Sequence, residues 1–134
     1  MDKKQVMRMF NKTARIGALA TSNKNGDVNV AVFGSPQMID GETIIMAIGD
    51  NRSHQYLKEN PKASFIVIEP GESPSEWKGA RLYLEMESLE GYGELLDSLR
   101  EKIRKMGGDQ SANAIKAAVR FKIVDIRPLV APGP

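Results

Sequence analysis

The chain has 134 residues, 41% of them hydrophobic and 27% charged, which suits one globular domain with a real core and is too short for two. Its 19 basic and 17 acidic residues leave a net charge of +2, which gives no ground for nucleic-acid binding. The absence of cysteine excludes disulfides, thiolate metal sites and cysteine nucleophiles, and a single histidine excludes a multi-histidine metal centre within one chain. No apolar run approaches the roughly 20 residues of a membrane helix. The N-terminal MDKKQVMRMFNK lacks the apolar stretch of a signal peptide, so a cytoplasmic protein is the expectation.

Residues 2–12 read as a helix: Asp2 can cap it, and Val6, Met9 and Phe10 fall at helical spacing. Residues 15–22, RIGALATS, read as a strand, and Asn25-Gly26 is a strong hairpin signal. Val28, Val30 and Val32 then alternate with Asn29, Ala31 and Phe33, a strand with two unlike faces. Gly34-Ser35-Pro36 interrupts it. Gln37 to Ile39, Asp40-Gly41 and Thr43 to Ile48 make a second hairpin, so the first half is expected to be an antiparallel meander of three or four strands.

After a short helix comes a strand, Ala63 to Ile68, whose unbroken Phe65-Ile66-Val67-Ile68 predicts cover on both faces. Pro70 to Gly79 is a loop with the only tryptophan, Trp77. Arg81 to Glu90 sets Leu82, Leu84 and Met86 against Arg81, Tyr83, Glu85 and Glu87, and the glutamates are expected on a solvated face. Gly91 to Met106 carries the stripe Leu95, Leu99, Ile103, Met106 of an amphipathic helix packed on a core or interface. Gly107-Gly108 ends it, leaving Asp109 to Asn113 as a polar stretch. In the last strand, about Ala118 to Arg127, Val119, Phe121 and Ile123 set one phase while Val124 and Ile126 take the other, which predicts a bulge near Ile123. Pro128, Pro132 and Pro134 mark a tail. The sum is a mainly β, α+β fold: six or seven antiparallel strands curled into a small barrel with a few flanking helices, one domain over residues 1–134. A barrel also removes exposed apolar edges.

The functional signal lies in Ile44 to Pro61, IIMAIGDNRSHQYLKENP. An apolar strand runs into Gly49, a polar turn Asp50-Asn51-Arg52-Ser53 follows, and a short helix is stopped at Asn60-Pro61. A Ser or Asn opening a helix leaves free backbone N–H groups beside it, and the helix dipole adds positive charge there. With Arg52 on the turn, this makes a small anion pocket suited to a phosphate. Gly49 has no side chain to block a flat ligand. The alternative is an ordinary capped turn with a solvated arginine. His54, in the first helical turn, is expected at the surface, close enough to contact a phosphate.

The order of elements and the segment NVAVFGSPQMIDGETIIMAIGDNRSHQYLKENPKASFIVI, followed by a KGARLYLEME strand, a helix and a last strand, resemble the FMN-binding split-barrel family. That family includes pyridoxamine-phosphate-oxidase-like proteins and small FMN-binding proteins of anaerobes. The resemblance covers about residues 12–128 and implies a split β-barrel that binds FMN. It places the phosphate at Arg52 and Ser53 with Asn51 beside them. It lays the strand Met46 to Asp50 along the isoalloxazine, with backbone groups of Ala47, Ile48 and Gly49 at the ring's polar edge. Asn29, Val30, Ala31 and Val32 would line the ribityl and phosphate side.

The resemblance also implies a homodimer with each flavin at the subunit interface, Trp77, Lys78 and Tyr83 being candidates to close the partner's site. The chain lacks the substrate-phosphate residues of true pyridoxamine-phosphate oxidases, and Asn29 stands near where some relatives carry a basic residue. FMN is thus better supported than any named substrate. No catalytic side chain or metal site is expected, which suits a protein whose cofactor carries the chemistry. The implied roles are an oxidoreductase, with NAD(P)H as a candidate donor, or an electron carrier with a protein redox partner. The alternatives are the same barrel holding F420 or haem, with His54 the one available axial ligand, and a non-enzymatic dimeric binding module.

Overall fold

In the computed structural model, which describes residues 2–12 and 15–130, Asp2 opens the helix α1 (Lys3–Phe10) through a capping box with Gln5. Seven strands follow: β1 (Ile16–Ser22), β2 (Val28–Val32), β3 (Gln37–Met38), β4 (Thr43–Gly49), β5 (Lys62–Glu69), β6 (Lys78–Glu90) and β7 (Ile115–Pro128). The helix α2 (Arg52–Glu59) joins β4 to β5, and α3 (Glu94–Asn113) joins β6 to β7. One antiparallel sheet takes all seven strands in the order β2-β1-β5-β6-β7-β4-β3.

The two expected hairpins form, but they do not make a meander. β2 and β3 are consecutive in sequence and lie at opposite edges of the sheet. β1 takes β5 as its second neighbour and β4 takes β7, so Gly34-Ser35-Pro36 carries the chain across rather than turning it back. The main core holds Leu19, Met38, Ile44, Phe65, Leu82 and Phe121 from strands spread across the whole sheet, and α1 touches β3, β5 and β6 together. The sheet is therefore curled around α1, with its seam open between β2 and β3. This is the mainly β, split-barrel architecture expected.

Local details follow the side chains. Gly26, at φ +86°, makes the β1–β2 turn, where the Asn23 side chain accepts from the amides of Asn25 and Asp27. Tyr83 faces Asp125 and Leu84 faces Ile123, so Val124 is the extra residue of a bulge beside the expected position. β5 buries only one face: Ala63, Phe65 and Val67 enter the core, whereas Ile66 and Ile68 are half-buried on the outside. The expected cover on both sides is absent within one chain. α3 breaks at Gly108, at φ +85°, and resumes helical geometry through Asn113, so the polar stretch is helical. Its buried face is Leu96 and Leu99, with Leu95 and Ile103 packed alongside, while Met106 is 75% exposed just before the break. Trp77 is 42% exposed, and Glu85 and Glu87 are solvent-facing as expected. Pro132 and Pro134 lie outside the described residues. Among those residues no helix is long and apolar enough to cross a membrane.

Candidate functional site

The corner between β4 and α2 is built by its own polar side chains. Asn51 is the N-cap: its side chain accepts from the His54 amide at 2.9 Å, and its carbonyl accepts from the Gln55 amide. The amides of Arg52 and Ser53 have no protein acceptor among the described residues, so two N–H groups stay open at the positive end of the helix. Arg52 is exposed and makes no ion pair with any of the described residues. Ser53 is 1% exposed, and its hydroxyl accepts from Asn29 Nδ2 at 3.2 Å, which ties α2 to β2. Thr21 stands directly across from Asn29, and its buried Oγ1 has no partner among the described residues. Asp50, at the mouth, accepts from Gln55 Nε2.

His54 is not at the surface. It is 7% exposed, on the face of α2 that also buries Ser53 and Leu57 against β1 and β2. Its Nδ1 lies 2.9 Å from the Gly49 carbonyl oxygen. A carbonyl only accepts, so Nδ1 is the donor in this contact. Gly49 is explained within the chain: a Cβ there would stand 3.0 Å from the Ala114 carbonyl oxygen at the end of α3.

Asn29, Asn51, Arg52 and Ser53 thus converge, with Asp50 on the rim. The remaining candidates surround them differently. Ala47 and Ile48 are buried, Ile48 in the main core and Ala47 under α3. The Ser35 hydroxyl donates to the Ala47 carbonyl at 3.0 Å and accepts from its amide at 3.3 Å, so the backbone groups of Ala47, one of the three residues expected to face a ring, are already engaged. Ala31 shares the inner face of β2 with Asn29, whereas Val30 and Val32 project from the other face into the open. Sequence reasoning missed Ser35 and Thr21. A hydroxyl that plugs a strand edge, or one opposite Asn29, shows only in the register of pairing. Among the described residues no group of three His, Asp or Glu side chains could hold a metal.

An uncharacterised protein of Methanocaldococcus jannaschii is 32% identical to the chain over 93 residues, covering 66% of this chain and 62% of that protein. The chain thus spans less than two thirds of that relative. A solved FMN-binding protein from Syntrophomonas wolfei superposes with a TM-score of 0.85 at 27% identity, covering 97% of this chain and 87% of that one. HutZ, the haem storage protein of Vibrio cholerae, superposes at 0.66 with 18% identity over 97% of this chain and 90% of its own, a likeness of fold alone. The family described as pyridoxamine 5'-phosphate oxidase matches residues 4–129, almost end to end, and to that split-barrel family the chain belongs.

Proposed function

We propose that this protein is an FMN-binding flavoprotein that works as a homodimer, as an oxidoreductase or an electron-transfer protein. The observation that carries this reading is the α2 corner, where two open backbone amides, the unpaired Arg52 and the Asn29–Ser53 pair converge at a helix N-terminus. That donor set fits a phosphate monoester. The FMN-binding relative supports the choice of flavin. Bound FMN would supply one- and two-electron chemistry; the chain's part is to hold, orient and shield it. Arg52 and Ser53 bind the phosphate, Asn29 fixes the Ser53 hydroxyl, and Ala31, on the same face of β2 as Asn29, flanks the rest of the cofactor.

The homodimer reading rests on β2. Val28, Val30 and Val32 are 80%, 70% and 76% exposed in one row, continued across β1 and β5 by Ala18, Ala20 and Ile66. A second copy laid on this face would bury the row beside the proposed flavin site. A haem reading is weaker, because His54 faces the sheet and would need α2 to move before it could ligate iron.

The test is reconstitution. The purified protein should acquire flavin absorption bands on addition of FMN. Arg52→Ala should weaken FMN about tenfold and leave riboflavin almost unchanged, because only FMN carries the phosphate. Equal weakening of the two ligands would contradict the assignment. Anaerobic NAD(P)H should bleach the bound flavin if the protein is a nicotinamide-linked oxidoreductase, and leave it coloured if it exchanges electrons with a protein.

A further inference from the structure

A cavity lies away from the α2 corner, between α3 and the β2–β3 loop, with a volume of about 430 Å³. It falls within the roughly 300–1,000 Å³ of small-molecule pockets. No carboxylate lines it. One wall is Leu99 and Ile103 of α3, and Lys12, Arg15 and Lys102 supply the charge.

The three cations are not equivalent. Lys12 is neutralised by Glu69 at 3.0 Å. Arg15 has no counter-ion among the described residues: it donates to the carbonyls of Lys12, Gly34 and Pro36, lies over the Phe10 ring, and leaves Nη1 buried without a partner. Burial lowers its pKa from the ordinary arginine value, the mark of a charge held with too little solvent. Lys102 donates one of its three protons to Gln37 Oε1 at 2.8 Å and keeps two for a ligand. Two unneutralised cations beside an apolar wall select a molecule with an anionic head and an apolar body.

We propose that this cavity binds a small organic carboxylate, its head against Lys102 in the field of Arg15 and its apolar body on Leu99 and Ile103. The site shares no residue with the Asn51–Ser53 corner, so it stands whether or not that corner takes FMN.

Indoleacetate and its neutral twin tryptophol are suitable probes, titrated into the isotope-labelled protein and followed by amide shifts. Indoleacetate should move the resonances of Leu99, Lys102 and Ile103 and bind about tenfold tighter than tryptophol. Lys102→Gln, at an exposed position, should remove most of that preference and leave tryptophol binding unchanged. Equal affinity of the two probes, or no shift at millimolar concentration, would overturn the proposal. So would shifts centred on Asn51 to Ser53, or loss of the indoleacetate shifts when FMN is added, because either would make the cavity part of the flavin site. The FMN and riboflavin comparison with Arg52→Ala reads the other corner, so the two proposals fail separately.

Discussion

The outer surface of the sheet is finished in one half and bare in the other. Over β4 and β7, Ala47 and Ala118 are buried beneath Leu96 and Leu99 of α3. Over β2 and β1, Val28, Val30 and Val32 stand in the open with no element of the described residues across them. The residue types match the two situations. Alanine on a sheet face lets a helix sit close, and the space is filled by leucines from the helix side. Branched valines project far enough to meet a flat surface. Burying one valine is worth roughly 1.5 kcal/mol or more, so a row of three on each of two copies is a substantial gain left untaken by a single chain. The covered half is a matter of folding; the bare half is the face on which the proposed homodimer would associate.

The sharpest way to break this comparison is Val30→Asp. If the bare face is an interface, two carboxylates are driven into an apolar seam in each dimer and association fails, since an unpaired buried charge costs several kcal/mol. Sedimentation should then show a monomer with the unfolding stability of a folded chain. If the face is solvent-exposed in the working protein, the change at an exposed position should alter stability by no more than about 0.5 kcal/mol and leave the sedimentation unchanged.

Leu96→Ala probes the covered half. Leu96 is 1% exposed against Ala47 and Ala118, and its loss should lower unfolding stability by about 2–4 kcal/mol in a denaturant titration. The oligomeric state should not change. A variant that also dissociated would show that α3 and the valine face are mechanically linked and that the two halves are not independent.

The contrast also explains what could be read from the sequence. Leu82 and Leu84 on one face of β6, and Ala63, Phe65 and Val67 on one face of β5, are period-two patterns that name a strand and its buried side. Partners are another matter. Nothing in Gly34-Ser35-Pro36 tells a turn back from a crossing, because strand order is decided by contacts remote in sequence. The run Phe65-Ile66-Val67-Ile68 shows a strand apolar on both faces, but not whether the second cover is a helix or another chain. His54 reads as a surface residue by type, and it is buried because the Gly49 carbonyl satisfies its ring. Met106 keeps the helical spacing of Leu99 and Ile103 and is exposed because α3 breaks two residues later. The turn Asn51-Arg52-Ser53 was legible, since a cap, a cation and a helix start are local. The Asn29 contact was a matter of resemblance, and the plugging of Ala47 by Ser35 is a product of the tertiary fold.

Asn51 gives the smallest effect and the most specific one, because it belongs to neither half of the sheet surface but to the corner where the flavin phosphate is proposed. Asn51→Ala removes the acceptor for the His54 amide and should cost about 1 kcal/mol of stability. That loss alone is what any N-cap would show. Asn51→Asp keeps the acceptor and complements the helix dipole, so stability should stay within a few tenths of a kcal/mol of the parent. It also sets a second carboxylate beside Asp50, next to the open amides of Arg52 and Ser53. A phosphate bound there would be repelled, so FMN should weaken several-fold while riboflavin does not, and added salt should narrow the gap. If the aspartate variant binds FMN and riboflavin as the parent does, Asn51 is a cap and the phosphate lies elsewhere, whatever Arg52 contributes.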